Sequence, residues 1–99
     1  MPFVYIVECA DGTLYTGWTT DLARRVRMHN QGRGGRYTRQ RRPVSLVYAE
    51  FQPNRGAAMR RERSLKQLAT RCKRELILAC GIAAMPDREE REPEDRSVR

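Results

Sequence analysis

Three short stretches of the chain carry apolar residues at the spacing of β-strands. They are residues 3–8, 13–18 and 44–51. The first is nearly continuously apolar, which is typical of a strand covered on both faces. The second alternates, so that Tyr15 and Thr16 point to opposite faces, and Gly17 near its end indicates a close approach by another group. The Asp11-Gly12 pair between the first two stretches predicts a hairpin turn.

Three further stretches have apolar residues at helical spacing, and they are residues 21–30, 55–69 and 71–80. Thr20 or Asp21 can cap the first helix, and Leu22 and Val26 form its buried stripe. Arg25 lies at the edge of that stripe, so its side chain can point inward beneath the edge of the sheet.

The second predicted helix carries one carboxylate on its apolar face. Glu62 shares that face with Ala58 and Leu65. A carboxylate in this position is costly unless it is paired or holds a cation. An ion pair with Arg25, or with Lys66 one turn later, explains it as well as a bound metal does.

The chain is strongly basic, and the excess lies in residues 1–82. The whole sequence has a formal net charge of +8. Residues 83–99 hold six acidic and four basic side chains, so residues 1–82 carry +10. Eighteen of the 20 basic residues are arginine, the side chain that binds phosphate bidentately. Such a small basic domain is typical of a protein that binds a polyanion, although a soluble basic protein without one is the alternative.

The segment 32–43 is rich in glycine and arginine and contains one aromatic residue, Tyr37. We interpret it as a flexible loop that contacts phosphate and stacks Tyr37 on a base, with a solvated charged loop as the alternative. The candidate nucleic-acid-binding residues are Arg24, Arg27, Arg33, Arg36, Tyr37, Arg39, Arg41 and Arg42.

Length and composition predict a single domain over residues 1–82 and a charged, disordered tail over residues 83–99. Three cysteines and one histidine do not make a convincing zinc site, and unpaired thiols favour a reducing cytoplasm. The N-terminal apolar run is five residues long, too short for a signal peptide or a membrane span.

The order of these motifs resembles the GIY-YIG nuclease superfamily. The triplet Phe3-Val4-Tyr5 precedes Tyr15-Thr16-Gly17, and Leu22-Ala23-Arg24-Arg25 and Glu62 follow. More narrowly, residues 3–80 resemble a small stand-alone bacterial subgroup, close to the nuclease domain of structure-specific endonucleases that act on branched DNA.

The resemblance implies an α+β fold (an α/β two-layer arrangement) in which a central three-stranded antiparallel sheet is flanked by helices. It also implies that Tyr15 activates or orients the attacking water, Arg25 binds the scissile phosphate and Glu62 holds one Mg²⁺ or Mn²⁺ ion. Tyr5 lines the same site, and His29 falls where relatives carry Tyr or His. In a second mechanism, which is equally consistent with the chemistry of these residues, Tyr15 positions the water by a hydrogen bond and His29 accepts its proton.

The expected function is therefore a divalent-metal-dependent endonuclease that hydrolyses DNA phosphodiester bonds in the repair or recombination of branched or damaged DNA. Trp18 stands where several members of the superfamily carry a lysine near the phosphate. Two alternatives are a non-catalytic nucleic-acid-binding module and a nuclease subunit that needs a partner protein for targeting. The sequence is compatible with an RNA substrate as well as a DNA substrate, and it does not indicate an oligomeric state.

Overall fold

The computed structural model describes residues 1–80, and the predicted charged tail lies outside these residues. The elements in chain order are β1 (Phe3–Glu8), β2 (Leu14–Thr19), α1 (Leu22–Asn30), α2 (Arg36–Arg39), β3 (Ser45–Phe51), α3 (Arg55–Lys66) and α4 (Thr70–Ala79). The strands and the three longer helices fall where the sequence predicts them. The short helix α2 lies within residues 32–43, which the sequence predicts to be a flexible loop. Within residues 1–80 no helix is long and apolar enough to cross a membrane.

The sheet has the order β2-β1-β3, and both pairs of neighbouring strands are antiparallel. The central strand β1 is fully buried from Val4 to Val7, which explains its nearly continuous apolar sequence. Tyr5 lies in the middle of the sheet, opposite Gly17 of β2 and Ala49 of β3.

Helices cover both faces of the sheet, because β1 presents apolar side chains to each of them. The cluster on the α1 face contains the buried residues Tyr5, Val7, Cys9, Leu22, Val44 and Ala49. The cluster on the α3 face contains Val4, Ile6, Tyr48, Ala58 and Leu65, with Leu76 and Ile77 of α4 packed against it. The predicted α+β fold with a central antiparallel sheet is confirmed. The resemblance implies two layers, whereas the structure has three, because helices pack on both faces of the sheet.

Side chains at the ends of α1 and α3 fix where these helices begin. The carboxylate of Asp21 accepts a hydrogen bond of 3.1 Å from the backbone N–H of Arg24. The amide oxygen of Asn54 accepts one of 2.8 Å from the N–H of Ala57. Each bond satisfies a backbone donor that has no partner within its helix. Asp21, one of the two cap residues that the sequence suggests, is thus the N-cap of α1.

An ion pair holds α3 against β3. Arg61 Nε donates to the Glu50 carboxylate at 2.8 Å, and the buried Tyr48 hydroxyl donates to the same carboxylate. Burial of the ring, followed by the hydrogen bond to Glu50, raises the pKa of Tyr48 to about 12. The Arg61–Glu50 ion pair fixes the turn of α3 that carries Glu62.

Candidate nuclease site

A buried hydrogen-bonded pair lies at the centre of the α1 face. The Tyr5 hydroxyl is 2.9 Å from Nε2 of His29, and Arg25 Nε donates to the Tyr5 oxygen at 3.3 Å. Tyr5 is 1% exposed and His29 is 0% exposed. Arg25 and His29 are one helical turn apart on α1, so both side chains project from the same face onto the sheet.

Gly17 makes room for the Tyr5 ring. A Cβ atom at Gly17 would lie 2.6 Å from the Tyr5 hydroxyl oxygen. The close approach that the sequence indicates at this position is therefore that of Tyr5, from the paired position on β1.

The segment between α1 and β3 closes the other side of His29. Thr38 Oγ1 lies 2.8 Å from His29 Nδ1, and Thr38 is fully buried. A guanidinium N–H of Arg25 donates to the carbonyl oxygen of Gly34 at 3.1 Å. A Cβ atom at Gly34 would come within 2.1 Å of His29 Nδ1. This part of the expected flexible loop is therefore packed into the site.

Tyr15 is the more accessible tyrosine of the site. Its ring is half-buried and packs edge-on against His29, with the ring centres 5.3 Å apart. It also stacks on Tyr37, at 5.9 Å and an interplanar angle of 26°. The Arg41 guanidinium lies 3.9 Å from the centre of the Tyr37 ring. Tyr37 is 38% exposed, and its ring already packs against another aromatic ring and a guanidinium.

Burial and the Arg25 charge set the protonation of this group. Burial raises the pKa of Tyr5, against the lowering effect of Arg25, and the Glu62 charge raises that pKa further. Burial and then the Arg25 charge lower the pKa of His29 below its ordinary value of 6.5. The hydrogen bond with Tyr5, and to a smaller extent the interactions with Tyr15, raise the pKa of Arg25. At neutral pH the site therefore combines a neutral phenol, a neutral imidazole and a charged guanidinium.

Glu62 is partly buried, and its nearest cation is Lys66, with 3.4 Å between carboxylate oxygen and Nζ. Of the two ion pairs that the sequence suggested, the structure contains the one within α3. Residues 1–80 hold no group of three or more His, Cys, Asp or Glu side chains that could bind a metal. A single carboxylate still suits Mg²⁺, because this ion keeps several waters and takes phosphate oxygens as ligands.

The predicted nucleic-acid-binding arginines fall into two groups. Those with exposed side chains that extend from α1 and the following segment are Arg24, Arg27, Arg33, Arg36 and Arg39. Arg41 instead pairs with Asp11 at 3.2 Å and donates to the Tyr37 carbonyl at 2.8 Å. Arg42 is exposed, but it donates to the carbonyl oxygen of Arg39 at 3.0 Å. Arg41 and Arg42 therefore help to stabilise the fold of residues 32–43.

Trp18 has a cation beside it in this structure. The guanidinium carbon of Arg55, from the first turn of α3, lies 5.7 Å from the centre of the Trp18 ring. The edge of β2 where the resemblance places a lysine thus carries a positive charge from another element.

The family model for the GIY-YIG catalytic domain matches residues 1–75. A UPF0213 protein from Desulfotalea psychrophila is 58% identical over 78 residues, which are 78% of this chain and 71% of the relative. A UPF0213 protein from Clostridium perfringens is 49% identical over 82 residues, 83% of this chain and 88% of the relative.

One solved structure is similar in fold and sequence. The solution NMR structure of the UPF0213 protein BH0048 from Bacillus halodurans superposes with a TM-score of 0.54 at 45% identity. The match covers 82% of this chain and 87% of the other. The similarity therefore extends over nearly all of the part of the chain that contains the site.

Proposed function

The chain belongs to the GIY-YIG catalytic-domain family, and on this premise we propose that it is an endonuclease that hydrolyses DNA phosphodiester bonds with a divalent cation, Mg²⁺ or Mn²⁺. The observation that carries this proposal is one cluster of side chains from three elements. We call it the nuclease cluster, and its members are Tyr5, Tyr15, Arg25 and His29.

Arg25 is suited to bind the scissile phosphate. Hydrolysis of a phosphodiester needs positive charge at the phosphate oxygens in a preorganised position. Tyr5 and the Gly34 carbonyl hold the guanidinium through one Nε–H and one terminal N–H. The other N–H groups of the fork remain to bind an anion bidentately. A group held this way loses little further freedom when phosphate binds.

Tyr15 is suited to orient the attacking water, because its side chain is the more accessible of the two tyrosines. Its hydroxyl is near enough to Arg25 to contribute to that residue's raised pKa. A water bound to Tyr15 would therefore lie beside a phosphate bound to Arg25. Tyr5 and His29 are buried, and we assign them to hold the guanidinium and the Tyr15 ring in place.

Glu62 is the residue that would hold the cation. When bound, a divalent cation neutralises phosphate charge and lowers the pKa of a coordinated water. Two features support this assignment. Glu62 is near enough to Tyr5 for its charge to make a small contribution to the raised pKa of that phenol, and its ion pair with Lys66 is weak. A partly exposed pair one turn apart on a helix contributes about 0.3–0.5 kcal/mol, which a divalent ion readily exceeds.

The exposed arginines beside the nuclease cluster are suited to the DNA backbone. Contacts with phosphates position a protein on a duplex but carry no sequence information. We therefore propose recognition of DNA shape, as in branched or damaged DNA during repair or recombination, rather than of a base sequence. The cysteines Cys9, Cys72 and Cys80 are free thiols, which suits the reducing cytoplasm.

The test is cleavage of flap, three-way-junction and plain duplex DNA, and of matched RNA, with Mg²⁺, Mn²⁺ or EDTA. We expect metal-dependent cleavage of branched DNA that is lost in Glu62→Gln and Tyr15→Phe. Cleavage that survives both substitutions would contradict the proposed site. Salt-sensitive binding without cleavage of any substrate would instead indicate a non-catalytic binding module. Cleavage that needs added cell extract would indicate a subunit that depends on a partner protein.

A further inference from the structure

His29 is the one histidine of the chain, and both nitrogens of its buried ring are bound by hydroxyl groups. We infer that Thr38 is a positioning residue that holds the imidazole proton on Nδ1, so that Nε2 accepts the Tyr5 proton and the Tyr5 oxygen faces Arg25. This inference rests on the proposed function for its catalytic consequence. Its structural part, the position of one proton, is independent of that function.

The direction of each hydrogen bond follows from the donors around Tyr5. Arg25 has only N–H donors, so the 3.3 Å contact from its Nε uses the Tyr5 oxygen as the acceptor. Among the residues that the structure describes, the remaining partner for the Tyr5 proton is Nε2 of His29. A neutral imidazole has one N–H and one acceptor nitrogen. The proton of His29 therefore lies on Nδ1 and is donated to Thr38 at 2.8 Å.

The opposite tautomer is disfavoured by the same contacts. With the proton on Nε2, the Tyr5 oxygen would accept from both His29 and Arg25, and the Tyr5 proton would lack an acceptor among residues 1–80. A buried polar hydrogen without a partner is costly. Thr38 stabilises the favoured arrangement, because its hydroxyl oxygen is the acceptor that a proton on Nδ1 requires.

The groups that face the ring come from four elements. They are Tyr5 of β1, Tyr15 of β2, Arg25 of α1 and Thr38 of α2. Arg25 is the charged group among them, and its charge opposes a second proton on the imidazole. The ring is therefore neutral at pH 7, and the choice between its two nitrogens is set by hydrogen bonds.

The tautomer matters because Arg25 is held by the Tyr5 oxygen. If His29 donated to that oxygen, the Tyr5 proton would turn toward Arg25 and compete with its Nε–H. The guanidinium would then lose one of the two bonds that aim it at a phosphate. Thr38 would thus act on phosphate binding through two intervening side chains, without touching the substrate.

Nitrogen-15 NMR of the uniformly labelled full chain tests the structural part without any substitution. The single histidine gives one set of imidazole signals, which needs no assignment by mutagenesis. At pH 7 we expect Nδ1 to show a protonated, pyrrole-type signal and Nε2 an unprotonated, pyridine-type signal. The reverse pattern in the wild-type protein would overturn the inference.

Variants at Thr38 test its role. Thr38→Val keeps the side-chain shape but removes the hydroxyl, whereas Thr38→Ser keeps the hydroxyl. In Thr38→Val we expect the imidazole proton to shift toward Nε2 and the rate of DNA cleavage to fall about tenfold, the effect of losing roughly one hydrogen bond. Thr38→Ser should retain both the wild-type tautomer and at least half of the rate.

Thr16→Val is the matched control. Thr16 is 2% exposed, and its hydroxyl has no hydrogen-bond partner among residues 1–80. This substitution should leave both the tautomer and the rate unchanged. A Thr38→Val protein that keeps the wild-type tautomer, or that shifts it without slower cleavage, would overturn the positioning role. If no variant, including the wild type, cleaves DNA while the expected tautomer is seen, the proposed nuclease function fails and the structural part stands.

Discussion

The hydroxyl of Tyr5 and Nε2 of His29 are 2.9 Å apart, and both residues are buried. Tyr5 belongs at the same time to the apolar cluster on the α1 face of the sheet. The polar centre of the candidate site is therefore part of the hydrophobic core. Substitutions here should change both stability and activity, and each test needs a control that separates the two.

Tyr5→Phe should abolish cleavage and lower the free energy of unfolding by about 1–3 kcal/mol, because it leaves His29 and Arg25 without their shared partner. Tyr48→Phe is the control, since Tyr48 is equally buried but lies on the opposite face and donates to Glu50. It should cost similar stability in urea denaturation and keep full cleavage activity. Equal losses of activity in both variants would show that Tyr5 acts only through stability.

Gly34→Ala should destabilise the protein and remove activity. The added Cβ would lie 2.1 Å from Nδ1 and 2.8 Å from Cα of His29, so the backbone or the ring must move. Overpacking of this kind costs about 1–3 kcal/mol. Gly56→Ala is the control, because Gly56 lies in α3 and its Cβ would meet nothing closer than 3.4 Å. It should stabilise the protein by about 0.5–1 kcal/mol. Thermal unfolding of both variants measures this difference.

His29 should make the protein less stable in mild acid. Its pKa in the folded state is below the ordinary value of 6.5. Below about pH 6.5 the unfolded chain binds a proton that the folded chain does not, so the free energy of unfolding falls as the pH falls toward the folded pKa. Above about pH 6.5 this contribution is fully present.

Urea denaturation between about pH 7.5 and 5 measures this slope. His29→Gln should be less stable at pH 7.5 but nearly independent of pH over the same range. Asp11 titrates below its ordinary pKa of 3.8, because its hydrogen bonds with Thr13 lower that pKa, so it does not contribute here. A wild-type protein as insensitive to pH as the variant would contradict a lowered His29 pKa.

The sequence predicts the elements of this fold well because each is encoded by local periodicity. The buried run of β1, the alternation of β2 and the Asp21 cap of α1 are all properties of neighbouring residues. Helix α2 has four residues, too few to show a helical pattern, and its position depends on contacts with the rest of the domain. The sequence of this segment therefore favours a flexible loop.

The candidate site could be predicted only in part. The family resemblance implies a site of Tyr5, Tyr15, Arg25, His29 and Glu62. The structure brings the first four side chains together, whereas Glu62 lies on α3 and pairs with Lys66. Thr38 was missed, because a short polar residue between arginines gives no sign that it is buried against a histidine nine positions earlier. Such a contact depends on how the chain returns after α1, which no local pattern encodes.

The exposed arginines of α1 should contribute to DNA binding through phosphate contacts alone. Arg24→Ala and Arg27→Ala should each reduce the slope of log Kd against log salt concentration by about 0.9, equally for any DNA sequence. Arg71→Ala is the control, because Arg71 is also exposed but lies on α4, beyond the opposite face of the sheet. Fluorescence anisotropy at several salt concentrations measures the slopes. An Arg71→Ala slope reduced as much as the others would place the DNA-binding surface elsewhere.

Glu62→Gln should weaken the binding of Mn²⁺, measured by isothermal titration calorimetry without DNA, by at least about tenfold, because it removes the charge of the proposed ligand. Glu75→Gln, which changes an exposed carboxylate of α4, should bind Mn²⁺ as the wild type does. Lys66→Met should bind Mn²⁺ about twofold more tightly, since the lost ion pair with Glu62 contributes only about 0.3–0.5 kcal/mol. Unchanged Mn²⁺ affinity in Glu62→Gln would exclude Glu62 as the metal ligand, and unchanged affinity in Lys66→Met would show that the lysine does not compete for it.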